Sequence, residues 1–146
     1  MLVSTFEAVE HAAGAIDLSP SILVVEDDDS VRKSLLRTLS ARGFTATGAR
    51  NGKEALLRAA ADPPDVIIMD LQLPVMSGSD AARALRQHPA LASVPIIALS
   101  ATLEDATTEL FFRLLTKPCS TDTLLTAIAE AIETSASSGC ARGLQD

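Results

Sequence analysis

The sequence predicts a doubly wound α/β domain built on a five-stranded parallel sheet. Three observations lead there. Short apolar runs recur, namely Ile22-Leu23-Val24-Val25, Val66-Ile67-Ile68-Met69 and Ile96-Ile97-Ala98-Leu99. They are continuous rather than alternating, as strands buried on both faces are. Segments with helical periodicity lie between them, so strands and helices alternate as in right-handed βαβ units. Each run also ends on residues that carry chemistry: Glu26 and Asp27, Asp70, Ser100 and, after Leu114-Leu115-Thr116, Lys117.

Residues 1–20 stand outside the regular pattern as an N-terminal extension, with a short amphipathic helix expected over 5–13 and ended by Gly14. Pro20 introduces the first strand. Ser30 is the expected N-cap of a helix in which Val31, Leu35 and Leu39 share one face. Gly43 stops that helix. A second strand, over 44–49, is weakened by Gly48. Asn51-Gly52 is a turn signal before a helix through Ala55, Leu56 and Ala59, which Asp62-Pro63-Pro64 ends. A third helix is expected over 79–87, bounded by His88-Pro89. The last helix spans 123–133, capped by Ser120 or Thr121, with Leu124, Leu125, Ile128 and Ile132 inward. Residues 135–146 are small, polar and glycine-containing, and are read as a flexible C-terminal tail. The folded domain is therefore assigned to 21–134.

Composition narrows the function. The chain has 146 residues, 47% hydrophobic and 21% charged, enough for one domain with a real core. With no tryptophan or tyrosine, that core must be aliphatic and alanine-rich. A net charge of −7 and the lack of any basic run argue against a grip on nucleic acid. No apolar stretch reaches membrane-span length, and no secretory signal is visible, so a cytoplasmic location is expected. Cys119 and Cys140 have neither CxxC nor zinc-like spacing and are read as reduced thiols.

Ligands of open α/β sheets bind outside the carboxyl ends of the strands. One edge then gathers three carboxylates, a hydroxyl and an ammonium. Each has an ordinary explanation when taken singly. Glu26-Asp27-Asp28-Asp29 could be a solvated loop, Lys117-Pro118 a loop start, Ser100 a helix cap. Their joint occurrence at strand ends favours a divalent cation beside a phosphoryl group. Adjacent carboxylates repel, and a cation removes that cost. Mg2+ (with Mn2+ as the alternative) prefers oxygen ligands and keeps several waters. Asp27 and Asp70 are the first choices as direct ligands. Glu26 binds directly or through water, and the backbone carbonyl of Gln72 completes the shell. Asp70, leading into a loop, is expected to be exposed and to act as the nucleophile that becomes an acyl phosphate. The cation, Lys117 and the Ser100 hydroxyl would then cover the transferred oxygens.

These segments resemble the receiver domain of two-component response regulators over about 21–133. Ile22 to Asp28 resembles the family's first strand and acid pair. Val66-Ile67-Ile68-Met69-Asp70-Leu71-Gln72-Leu73-Pro74-Val75-Met76-Ser77-Gly78 is similar to its phospho-acceptor segment nearly residue for residue. Ile96-Ile97-Ala98-Leu99-Ser100-Ala101 resembles the strand with the hydroxyl, and Thr116-Lys117-Pro118 the lysine motif, whose proline usually follows a cis bond. The resemblance implies a flavodoxin-like strand order of 2-1-3-4-5. It implies phosphoryl transfer to Asp70 from a sensor histidine kinase or a histidine phosphotransfer protein. It also implies a shift in a protein-interaction surface on phosphorylation.

Two departures stand out. The family's aromatic switch position is Leu114. Ser100 and Lys117 are only 17 positions apart, closer than is usual, so the fourth helix of the family pattern is expected to be shortened or irregular. Phe111 and Phe112 would fill the space it leaves, or else form an exposed apolar patch for pairing or partner contact. The expectation is a stand-alone receiver, because the residues after 133 are too few for a DNA-binding helix-turn-helix. Its output would be an unknown downstream protein, a homodimer or onward phosphotransfer, with no nucleic acid and no membrane. It is expected to be a signalling phospho-acceptor and not an enzyme. The alternatives are a degenerate receiver that acts without phosphorylation and a receiver piece of a hybrid histidine kinase. A phosphatase of the haloacid dehalogenase type is disfavoured, because its second aspartate would fall at Gln72.

Overall fold

The structure, a computed structural model, describes residues 19–73, 76–101 and 110–145, with side chains through Thr134. Five strands, β1 (Ser21–Val25), β2 (Thr45–Ala49), β3 (Val66–Asp70), β4 (Ile96–Ser100) and β5 (Arg113–Thr116), form one sheet. All are parallel, in the order β2-β1-β3-β4-β5. Four helices accompany them among the described residues: α1 (Asp29–Ala41), α2 (Gly52–Ala61), α3 (Gly78–Gln87) and α4 (Thr121–Gln145).

Strand side chains alternate between two cores, as the period of two requires. Leu23, Val25, Ile67, Met69 and Ile96 meet Ala55 and Ala59 of α2 and Ala81, Ala82 and Leu85 of α3. Ile22, Val24, Val66, Ile68, Ile97 and Leu99 meet Leu39 of α1 and Leu124, Ala127, Ile128 and Ala131 of α4. The expected alanine-rich core has a purpose, since small side chains bring α2 and α3 close together. A Cβ on Gly52 would lie only 2.9 Å from the Ala81 Cβ.

Helix starts depart from expectation in instructive ways. Asp28, not Ser30, caps α1, its carboxylate accepting the Val31 N–H at 3.0 Å. Aspartate caps as well as serine, and the earlier start sets Asp29 in the first turn, where the helix dipole favours an acid. Of the expected inward face, Leu39 is buried and Leu35 half-buried, but Val31 is 42% exposed. It stands at a cleft of about 630 Å³ between α1 and the start of α4, which also reaches Glu26, Lys117 and Cys119. Ser120 caps α4 as expected, while Asn51, read as part of a turn, and Ser77, read as part of a loop, prove to cap α2 and α3. Strand β2 keeps Gly48 because the Arg32 side chain lies across it; a Cβ there would meet Arg32 Cδ at 2.9 Å.

The last helix runs to Gln145 and not to the expected end at Glu133, so 135–145 is helical where a flexible tail was read. Extending a helix already seated by Leu124 and Ile128 needs no new nucleus, and no proline interrupts the segment. Ala127 and Ala131 join its inward face, which the sequence reading assigned only to larger residues; Leu125 and Ile132 are half-buried. The expectations of a helix over 5–13 and of a shortened or irregular helix within 102–109 lie outside the described residues. The residues that follow are informative. Phe111 packs on the α2/α3 core and Phe112 on the α1/α4 core.

Arg86 secures this region from α3. Its guanidinium donates to the carbonyl oxygens of Val94 (2.6 Å), Leu110 (3.0 Å) and Ala92 (3.2 Å). Arg86→Ala is expected to lower the unfolding free energy by about 2 kcal/mol, the scale of hydrogen bonds from a charged donor. Chemical denaturation reads this, and a change under about 0.5 kcal/mol, typical of a plain surface site, would contradict the clamp.

Candidate functional site

Because the strands are parallel, their carboxyl ends share one edge. The pairing Val25 with Met69, Asp70 with Leu99 and Ser100 with Thr116 brings the polar tips level. The hydrogen-bond ladder continues one residue past the strands. Glu26 N–H donates to Ala49 O (3.0 Å), Leu71 N–H to Leu99 O (3.0 Å) and Lys117 N–H to Ser100 O (2.8 Å). The tips are thus fixed by backbone.

At this edge Lys117 Nζ lies 2.9 Å from Asp70 Oδ2 and 3.5 Å from Glu26 Oε1. Asp70 Oδ1 accepts the Gln72 N–H at 2.9 Å, and Glu26 Oε2 accepts the Asp28 N–H at 3.2 Å. Carboxylate oxygens of Glu26, Asp27 and Asp70 lie within 4.8 Å of one another. Ser100 is buried at the end of β4. The peptide bond between Lys117 and Pro118 is cis. Five residues singled out from sequence are therefore brought to one sheet edge. For Gln72 the structure gives its N–H on Asp70; a carbonyl contact is not among the interactions seen.

One expectation is corrected. Asp70 is not exposed: it retains 4% of its surface, as does Glu26, whereas Asp27 is open to solvent. Lys117 and the Gln72 N–H take its two oxygens, and α3 closes over its main chain. A Cβ on Gly78 would fall 2.6 Å from Asp70 O and 2.7 Å from Leu71 Cα. Only glycine lets the helix start so near.

Burial pushes the Glu26 carboxyl up, and the neighbouring Asp70 charge adds to this against the Asp28 N–H and Lys117. Burial alone would lower Lys117, but its hydrogen bond to Asp70 and the charges of Asp70 and Glu26 more than offset that and hold it above its ordinary value. An acid raised above its ordinary 4.5 binds its proton more tightly in the fold than in the unfolded chain. Its contribution to stability therefore falls as pH rises above that value. Glu26→Gln is expected to raise the metal-free melting temperature at pH 7 and to flatten its fall above pH 4.5. Thermal unfolding in EDTA across pH measures both.

The donor set suits a hard divalent cation. Glu26 Oε1, whose one charged neighbour in the ion pairs seen is Lys117 Nζ at 3.5 Å, is buried without a hydrogen bond, and buried polar atoms are rarely left so. A cation shared with Asp27 and Asp70 would satisfy it.

Sequence reasoning missed the roles of two residues that shape the site. Arg32 donates to the Glu26 carbonyl at 2.8 Å and pairs with Asp29; the Asp29-to-Arg32 spacing of a helical ion pair was its available signal. Gly78 entered only as the end of the segment resembling the phospho-acceptor motif; its close packing on Asp70 and Leu71, at the end of the preceding strand, has no signal in periodicity.

A parallel 2-1-3-4-5 sheet with an acid cluster and a lysine at its carboxyl edge defines a flavodoxin-like domain with a polar site at its strand ends. The response regulator receiver domain family matches residues 22–129, and the chain belongs to that family of two-component systems. Response regulator MprA of Mycobacterium ulcerans is 42% identical over 84 residues, covering 58% of this chain and 35% of that protein. Regulatory protein AtoC of Escherichia coli is 33% identical over 115 residues, covering 77% of this chain and 25% of that protein. The chain thus spans about a third or less of the length of these curated relatives. Among solved structures, the chemotaxis response regulator CheY4 of Vibrio cholerae superposes with a TM-score of 0.73 at 30% identity, covering 77% of this chain and 98% of that one. The signal receiver domain of a signal transduction histidine kinase from Syntrophus aciditrophicus gives 0.73 at 29% identity, covering 80% and 92%. No described helix is long and apolar enough to cross a membrane.

Proposed function

We propose that Asp70 accepts a phosphoryl group and that this chain works as a stoichiometric signalling switch, not a turnover enzyme. The observation that carries the reading is Lys117 Nζ at 2.9 Å from Asp70 Oδ2, beside the carboxylates of Glu26 and Asp27. The donor would be the phosphohistidine of a sensor histidine kinase or a histidine phosphotransfer protein. An Asp70 carboxylate oxygen attacks phosphorus, the P–N bond breaks, the P–O bond forms, and the imidazole leaves with its electron pair. Glu26, Asp27 and Asp70 would hold Mg2+ (or Mn2+), with the Gln72 carbonyl as a further donor. When bound, the cation supplies charge neutralisation for one transferred oxygen. Lys117 exchanges its carboxylate partner for a second oxygen, and the Ser100 hydroxyl serves a third.

A net charge of −7 suits a protein partner and no nucleic acid, and phosphotransfer from such donors would take place in the cytoplasm. The same chemistry would operate were this receiver part of a hybrid histidine kinase. Leu114 has no ring, so the signal would leave by a route other than aromatic rotation. Incubation with acetyl phosphate and Mg2+ tests the reading. A base-labile adduct of phosphoryl mass on Asp70 is expected; its absence favours a receiver that acts without phosphorylation.

A further inference from the structure

We propose that Arg32 is the positioning residue that presets the acid pair for the divalent cation, an inference that rests on the phospho-acceptor reading. Four consecutive acids, Glu26 to Asp29, follow β1, and mutual repulsion tends to spread such a loop. Arg32 opposes this from beneath. Its side chain is only 12% exposed. Its stem lies on Gly48, where no Cβ fits. One arm of the guanidinium donates to Glu26 O at 2.8 Å, and the other pairs with the Asp29 carboxylate.

The carbonyl of Glu26 belongs to the planar peptide that joins it to Asp27. The preceding peptide is held as well, through Glu26 N–H on Ala49 O at 3.0 Å. With both planes pinned, the direction in which the Glu26 side chain leaves the main chain is set before any ion arrives; for Asp27 the following peptide is held too, by the Asp28 N–H on Glu26 Oε2 at 3.2 Å. Ordering that is already complete need not be supplied by binding. The Asp29 pair is exposed and contributes little; the carbonyl contact is the one that orients the acids. Arginine suits the task because its fork reaches both acceptors from one buried stem.

The test compares the wild type with Arg32→Met, which keeps the stem on Gly48 but loses the donors, and with Arg32→Lys, which restores a cation. Calorimetric titration gives the Mg2+ dissociation constant, and labelling by acetyl phosphate is followed against Mg2+ concentration. Arg32→Met is expected to weaken Mg2+ binding about 10–100-fold, the usual cost of removing a group that orients metal ligands. Its labelling rate should return to the wild-type value at saturating Mg2+, and Arg32→Lys should recover part of the affinity. Mg2+ bound equally well by Arg32→Met overturns the assignment while leaving the site intact. A labelling rate that stays low at saturating Mg2+ also overturns it, since Arg32 would then act on more than the acids. A wild type that binds no Mg2+ removes the underlying site reading instead.

Discussion

Asp70→Asn is expected to take up no phosphoryl group from acetyl phosphate or from a phosphorylated histidine donor, while the fold stays intact. The amide has the shape of the carboxylate but lacks a nucleophilic oxygen, so no acyl phosphate can form. Structural cost should be small. Lys117, which serves both Asp70 and Glu26, keeps Glu26 as its partner. One of two buried carboxylates facing each other is removed, which offsets the lost pair. The net change in metal-free stability is expected to stay within about 1 kcal/mol, as for modest ion pairs. Mass spectrometry of the intact protein and circular dichroism check the two halves. Labelling at the wild-type rate would end the assignment of Asp70.

Lys117→Ala is expected to be the most disruptive single change at the site. It leaves Glu26 and Asp70, each 4% exposed, without a cation. Breaking a fully buried ion pair costs about 3–5 kcal/mol. Lys117 keeps a third of its side-chain surface, so a loss of about 2 kcal/mol at neutral pH without metal is expected here. The sign with pH follows from Glu26. Glu26 already lies above its ordinary 4.5, and loss of the lysine, which lowers it, moves it higher. The fold then binds more protons than the unfolded chain, so the variant should regain stability as pH falls towards 4.5. Mg2+ should rescue the variant more than it stabilises the wild type, because it replaces the missing charge. Phosphoryl uptake should fall, and the conformational response to it further, with Mg2+ binding the least affected. Denaturation curves at two pH values, with and without Mg2+, read the stability terms; equal loss of Mg2+ binding and of response would count against pairing of Lys117 with the phosphoryl group.

Most of the sheet was legible because a buried parallel strand writes itself as an apolar run, and a polar residue that ends the run is there for a reason other than packing. Val66 to Asp70 and Ile96 to Ser100 illustrate this: each reads the same in sequence and in structure. The order of strands was not legible from the residues, since periodicity is blind to which strands neighbour each other; it came with the family resemblance. Helix ends were ambiguous where several capping residues stand in a row, as in Asp28-Asp29-Ser30. The exposure of Asp70 was misjudged because the atoms that cover it come from Lys117 and Gly78, far along the chain in one case and lacking a side chain in the other. Alanines 127 and 131 were missed because small side chains carry little weight in a periodicity argument, although at close helix-to-sheet contact they are what fits.

The two phenylalanines before β5 bear on how the lysine is held. One is fastened to each side of the sheet, the backbone N–H of Phe112 reaches Ile96 O at 2.8 Å, and Lys117 is tied to Ser100 beyond the strand. The strand is moored at both ends, like a bridge resting on its own piers. Whatever length or shape the preceding crossover takes, the ammonium arrives at the same spot, so a shortened connection and an undisturbed acid cluster are mechanically compatible.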